Sequence, residues 1–341
     1  MREEIITDVA IVGAGPVGLF AVFECGMLRM RSVLIDALEA PGGQCTALYP
    51  EKPIYDVPAH PTIAAGELVA ALERQILPFS APRLFGHKVE SLAGEVGDFR
   101  LGIEGGASVR ARAVILAAGV GAFGPNRPPL ADLAAYEATG AVQYYVTSRQ
   151  SLRGKRVVIA GGGDSAVDWA LALLGIAAEI SVVHRREKFR AAPESAARLA
   201  AAAKSGALSL VVPFQLSGLA GSAGVLEAVE LAGLSGEKRL VPADVLLAFF
   251  GLSMDLGPIA RWGLALERHQ LVVDPGTCQT SHAGVFAIGD IASYRGKLKL
   301  ILQGFSEAAI AAHAIHPIVF PGQALHFEYS TTSGIPSLAS P

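Results

Sequence analysis

The stretch "DVAIVGAGPVGLFAVFECGMLRMRSVLIDA", residues 8–37, decides how this chain folds. Val9, Ala10, Ile11 and Val12 make a short apolar run of the kind that forms a buried strand. Gly13, Gly15 and Gly18 follow in a G-x-G-x-x-G spacing, with Pro16 between them, then small and apolar residues suited to a helix. A second apolar run ends in Asp36. Strand, glycine turn, helix and strand in that order open a dinucleotide-binding βαβ unit. The glycines allow a tight turn and close approach of a pyrophosphate to backbone N–H groups at a helix N-terminus, where the helix dipole favours negative charge. An acid ending the second strand hydrogen-bonds a ribose diol, and Asp36 occupies that place.

The layout occurs twice. "RVVIAGGGDSAVDWALALLGIAAEISVVHRR", residues 156–186, again reads as strand, glycine turn, helix and strand. Its turn is Gly161-x-Gly163-x-x-Ala166, with Asp164 and Ser165 inside it. Its second strand ends in His184, Arg185 and Arg186, with Arg190 four residues on, and no acid stands at the ribose position. A carboxylate there would repel a 2′-phosphate, whereas guanidinium groups pair with one. The second site therefore reads as NADP(H)-binding, and the first, with its acid, as binding FAD. Two dinucleotides in one chain point to hydride transfer between nicotinamide and flavin.

Between the repeats, "FRLGIEGGASVRARAVILAAG" alternates like hairpin strands before a buried strand. Late in the chain "HAGVFAIGDIASYRGKLKLILQGFSEAAIAAHAI" reads as a buried strand, a Gly-Asp turn, and a small-residue helix beginning near Leu300. The expected class is α/β, with two Rossmann-like, doubly wound, three-layer domains. A discontinuous FAD-binding domain takes residues 1–118 and 281–341, and an NADP(H)-binding domain takes 119–280.

Bulk properties agree with a two-domain enzyme. The chain has 341 residues, half of them hydrophobic, enough for two cores. A net charge of −3 offers nothing to nucleic acid or to a membrane surface. No apolar run is long enough to span a bilayer. The opening residues are acidic where a secretion signal is basic, and the three cysteines form neither C-x-x-C nor a disulfide framework. A cytoplasmic protein is expected. The eight histidines show no metal-ligand spacing, so no metal is expected.

Gly13-x-Gly15-x-x-Gly18, Gly42-Gly43-Gln44, "ILAAG", "GGGDSAVDWAL", "VVHRR" and "GVFAIGD", in this order, resemble the thioredoxin reductase-like flavoproteins. Thioredoxin reductases carry a C-x-x-C just before the second glycine motif, and "QYYVTSRQSLRGKRVVIAGGG" has none. Together with "GGQCTALYPEKPIYDVP" and an "STTS" run in the tail, this departure is similar to the thioredoxin reductase-like ferredoxin–NADP reductases. The resemblance implies electron transfer between NADPH and ferredoxin, or flavodoxin, through FAD, in a homodimer. It places Asp36, Gly43, Gln44, Tyr49, Val89, Phe123, Asp290 and Thr331 at the flavin, with Val89 acting through its backbone. Tyr49 would stack on one face of the flavin ring and a tail aromatic on the other; Tyr329 matches that position, with His326 and Phe327 as substitutes. The tail would cover the flavin of the partner subunit.

No general acid or base is required, so none is assigned. Cys45 is read as a small packing residue beside the flavin. Arg295, Lys297 and Lys299, with Arg29 and Arg31, are candidate docking groups for an acidic ferredoxin. Two other readings stay open: an NADPH-oxidising flavoprotein that serves quinones, dyes or a separate disulfide carrier, and a slow-turnover flavin- and nucleotide-binding sensor.

Overall fold

Both glycine motifs sit in the elements their sequence implies. The computed structural model describes residues 4–233, 235–325 and 334–336. Strand Val9–Val12, helix α1 (Pro16–Met27) and strand Ser32–Asp36 follow one another around the first motif. Strand Arg156–Ala160, helix α2 (Asp164–Ala172) and strand Glu179–Val183 do so around the second. The small-residue helix α3 spans Ile301–Val319.

In the first unit five parallel strands lie in the order Val285–Ala287, Ala113–Leu116, Val9–Val12, Ser32–Asp36, Arg83–Phe85. The chain order reverses between Val9–Val12 and Ala113–Leu116, and a sheet of this kind opens a crevice at such a point, outside the carboxyl ends of its strands. Val12 pairs with both Ile35 and Leu116, so Gly13, Asp36 and Ala117 emerge together at that edge.

Alternation along the strands divides the side chains between two faces. Ile11, Leu34, Ile115 and Phe286 pack against α1, α3 and the helix Ala65–Ile76. Ala10, Val33, Ile35 and Leu116 pack against Phe99, Leu101 and Val109 of a second, largely antiparallel sheet. Each large apolar side chain fully buried in this way contributes about 1.5–3 kcal/mol. A methyl group on Gly304 would lie 2.3 Å from Val17 Cγ2, so the close approach of α3 to α1 requires glycine.

The second unit has its own five-stranded parallel sheet, in the order Val142–Gln143, Val245–Ala248, Arg156–Ala160, Glu179–Val183, Ser209–Val211. An antiparallel sheet of Phe214–Ser222, Val225–Gly233 and Lys238–Pro242 shares a core with it through Val229, Leu231 and Leu246.

The units comprise Met1–Phe123 with Met254–Pro341, and Gly124–Ser253. The first crossing falls five residues past the expected one. The return differs more, coming at residue 254 instead of 281, because Leu256, Ile259, Leu264, Leu271 and Val273 are buried in the first unit's core. Strand Gln270–Val272 also pairs with Ala292–Ser293, just after the Gly-Asp turn. Among the described residues no helix is long and apolar enough to cross a membrane.

Candidate functional site

A cavity of 610 Å³ opens at the carboxyl ends of the first unit's parallel strands, within the range of cofactor sites. Gly13, Gly15, Pro16, Asp36, Gly43, Gln44, Tyr49, Val89 and Asp290 all line it. The glycines have different tasks there. Gly13 has φ +111, and a methyl on it would meet Ala117 O at 2.3 Å. On Gly18 a methyl would meet Gly13 O at 1.8 Å, so this glycine lets the helix close on its own turn. On Gly15 a methyl would meet nothing within 4 Å, and it would stand in open space. Gly15 is the N-cap of α1, Pro16 follows it, and neither a capping side chain nor an acid occupies the first turn. The helix start is therefore bare, with donors free for an anion.

Asp36 is held by its own backbone surroundings. Its Oδ2 accepts the Ala14 N–H at 2.5 Å and its Oδ1 accepts the Leu38 N–H at 2.8 Å. Burial pushes its pKa up, and these two bonds oppose the rise. Each carboxylate oxygen keeps lone-pair capacity for a further donor, as a ribose diol requires. Val89 is buried among the core residues, so it reaches the cavity only as a wall. Tyr49 is half-buried, with Lys52 Nζ 5.8 Å from its ring centroid. Burial, then the neighbouring Cys45 and Asp290, push the phenol pKa well up, so the hydroxyl stays protonated. Cys45 is buried; burial and the charge of Asp290 push its thiol up to about 11. A thiol so protonated at neutral pH is no nucleophile.

The turn Gly289–Ile291 brings Asp290 to the cavity. It is pinned from two sides by residues the sequence did not single out. Glu307, on α3, is 1% exposed, and its Oε2 accepts the Gly289 N–H at 2.7 Å. Gln270 Nε2 donates to the Asp290 carbonyl at 2.6 Å and to the Ala292 carbonyl at 3.2 Å. The other oxygen of Glu307 accepts Tyr294 OH at 2.6 Å and pairs with Lys297 Nζ. Lys297, expected at a docking surface, is thus a buried partner, with its side chain 6% exposed. Arg31 is tied to Asp8 at 3.3 Å. Arg29, Arg295 and Lys299 are exposed, and Lys299 lines the cavity.

In the second unit the Gly161–Ala166 turn repeats the design. A methyl on Gly161 would meet Phe249 O at 2.7 Å and the Ala166 Cβ at 3.0 Å, so alanine is about the limit at the third position. Gly163, the N-cap of α2, faces open space. Asp164 turns its carboxylate to the Ala192 N–H, 2.8 Å away, joining the helix start to the loop that carries Arg190; Ser165 is exposed beside it. Arg190 N–H donates to Gly162 O at 2.7 Å. Arg185, Arg186 and Arg190 all have exposed side chains.

His184 is placed otherwise than the three arginines. It is buried beneath Gly162, where a methyl would strike its ring at 2.2 Å, and it packs on Phe189. Burial first, then the three arginines, lower its pKa, so the ring is neutral and supports the turn from below. The exposed cationic cluster therefore excludes His184 and includes Arg185, Arg186 and Arg190.

Phe123 lies in the strand Ala122–Pro125, with its side chain outside the described set. His326, Phe327, Tyr329 and Thr331 lie outside the described residues. Cys25, Cys45 and Cys278 are free and buried, and no cluster of metal-ligating side chains occurs among the described residues.

A family model for the pyridine nucleotide-disulphide oxidoreductases matches residues 7–314. A ferredoxin–NADP reductase of Granulibacter bethesdensis is 70% identical, over 97% of this chain and 94% of that protein. One of Acidiphilium cryptum is 68% identical, over 99% of this chain and 100% of that protein. Among solved structures, the thioredoxin reductase of Lactococcus lactis superposes with a TM-score of 0.78 at 22% identity, over 92% of this chain and 99% of that one. The thioredoxin reductase of T. acidophilum gives the same score and identity, over 91% and 98%. At that identity the two structures speak for the fold.

Proposed function

The chain belongs to the pyridine nucleotide-disulphide oxidoreductase family and, within it, to the ferredoxin–NADP reductases, and from that premise we propose that it passes electrons between NADPH and ferredoxin through FAD held in the first unit's cavity. The observation that carries the reading is the bare start of α1, with Gly15 facing open space, between Asp36 and Asp290 in one cavity. Those groups fit FAD: backbone donors for a pyrophosphate, one carboxylate for a ribose and another for a ribityl chain. Bound FAD supplies the conversion between a two-electron hydride donor and a one-electron acceptor.

The residues of the chain bind, orient and exclude. The N–H groups after Gly15 hold the pyrophosphate, and Gly43 lets a second backbone segment approach, since a methyl on it would stand 3.3 Å from Gly15 Cα. Gln44 supplies a polar contact and Tyr49 a flat wall for the ring. Leu256, Pro258 and Ile259 keep water from one side of the cavity. In the second unit Gly161, Gly163 and Ala166 shape the turn for NADPH. Arg185, Arg186 and Arg190 take its 2′-phosphate, which favours NADP(H) over NAD(H). The reading includes a homodimer, with Tyr329 and Thr331 of the tail at a flavin. It also includes a cytoplasmic setting, in keeping with three free cysteines. Lys299 at the cavity and exposed Arg295 are the basic groups offered to an acidic carrier.

The test is NADPH oxidation by the purified yellow protein, coupled to cytochrome c through added ferredoxin, with thioredoxin and NADH as controls. The rate is expected to require ferredoxin and to favour NADPH over NADH by at least about tenfold. Turnover independent of ferredoxin, or equal use of NADH, contradicts the reading.

A further inference from the structure

Glu307 is the single carboxylate of helix α3, 1% exposed, and three polar groups bond it directly. Burying such a group is costly unless it is both paired and hydrogen-bonded, and here it is both. Its Oε2 accepts the Gly289 N–H at 2.7 Å, while its Oε1 accepts Tyr294 OH at 2.6 Å and pairs with the buried Lys297 ammonium. Tyr294 OH in turn accepts from Gln303 Nε2 at 2.8 Å. Gly289 has φ +74, a left-handed conformation that its single carboxylate bond helps hold, and the next residue is Asp290. Gln270 Nε2 donates to the carbonyl of Asp290 in the same turn.

We infer that Glu307 is a positioning residue for the flavin: neutralised by Lys297, it locks the Gly289–Asp290 backbone so that the Asp290 carboxylate is presented to the cavity. This rests on the reading of that cavity as the FAD site. The pair acts as a unit. Removing either member leaves the other as a lone buried charge behind the turn, which is worse than removing both. Glu307→Gln keeps an oxygen for the Gly289 N–H but strands Lys297. Lys297→Met strands Glu307. The double variant has neither charge and keeps the amide oxygen.

The experiment dilutes the full-length holoenzymes and follows FAD release by the return of free-flavin fluorescence, with a thermal melt of each variant at saturating FAD. Glu307→Gln and Lys297→Met are each expected to raise the FAD dissociation constant by about tenfold or more, and the double variant to recover most of the loss. Substitution of a merely structural pair lowers the melting temperature and leaves FAD release unchanged, and that result overturns the inference; so does a double variant whose losses simply add. If Glu307→Gln does not accumulate as soluble protein, Tyr294→Phe, which removes one hydroxyl from the same carboxylate, decides the matter. A dissociation constant raised about threefold supports the inference and an unchanged one overturns it. A parent protein that holds no flavin would instead remove the proposed function on which the inference rests.

Discussion

Gly15→Val is expected to yield a folded, colourless protein whose affinity for FAD has fallen by at least about a hundredfold, the equivalent of some 2.8 kcal/mol. Gly15 has φ −66 and ψ 177, a region open to any residue, and a methyl placed on it touches nothing within 4 Å. The fold therefore loses little by the change. What the side chain does occupy is the space at the start of α1 where a pyrophosphate would meet the backbone donors. Gly18→Val is the contrasting case. Its Cβ would lie 1.8 Å from Gly13 O, so the turn itself must break, and poor soluble yield is expected. Absorption of the purified proteins and a melting curve separate the two. A yellow Gly15→Val protein, or two variants that fail alike, would contradict the assignment of the cavity.

The second large effect is on the nucleotide. The double variant Arg185→Ala, Arg186→Ala is expected to lower kcat/KM for NADPH by about a hundredfold, since two charge-assisted bonds of about 1.5 kcal/mol each are lost. With NADH, which lacks the 2′-phosphate, the change should stay within about threefold. Both arginines are exposed, and surface substitutions of this kind cost the fold little. His184 is no equivalent target, because Gly162 rests on its ring and its loss would reshape the turn. Parallel kinetics with the two nucleotides check the point; equal losses with NADPH and NADH would remove the arginines from specificity.

Much of the fold was legible because the βαβ unit is a local code. Its strands, turn and helix lie within thirty residues, and Asp36 follows from counting along them. The antiparallel strands Asp98–Ile103 and Ser108–Ala111 were legible by alternation, and the strand Ala113–Leu116 after them by its continuous apolar run. Pairings across longer separations were not. "RGKLKL" reads as a solvated basic loop, and only the folded turn shows that one of its lysines points inward to Glu307 while another stays at the cavity. His184 shares a sequence cluster with three arginines, yet the strand ends there, and the side chain is drawn under the glycine turn. The return to the first unit is hard to read in the sequence because residues 254–280 form only short elements. Their membership is set by scattered apolar side chains such as Leu256 and Leu271, which enter a core built mostly from residues far away in sequence.

The most direct measurement is an anaerobic titration of the purified protein with NADPH in the presence of excess oxidised ferredoxin. The account predicts a flavin absorption band before addition and two one-electron ferredoxins reduced for each NADPH consumed. A protein without that band, or one that oxidises NADPH while ferredoxin stays oxidised, would contradict it.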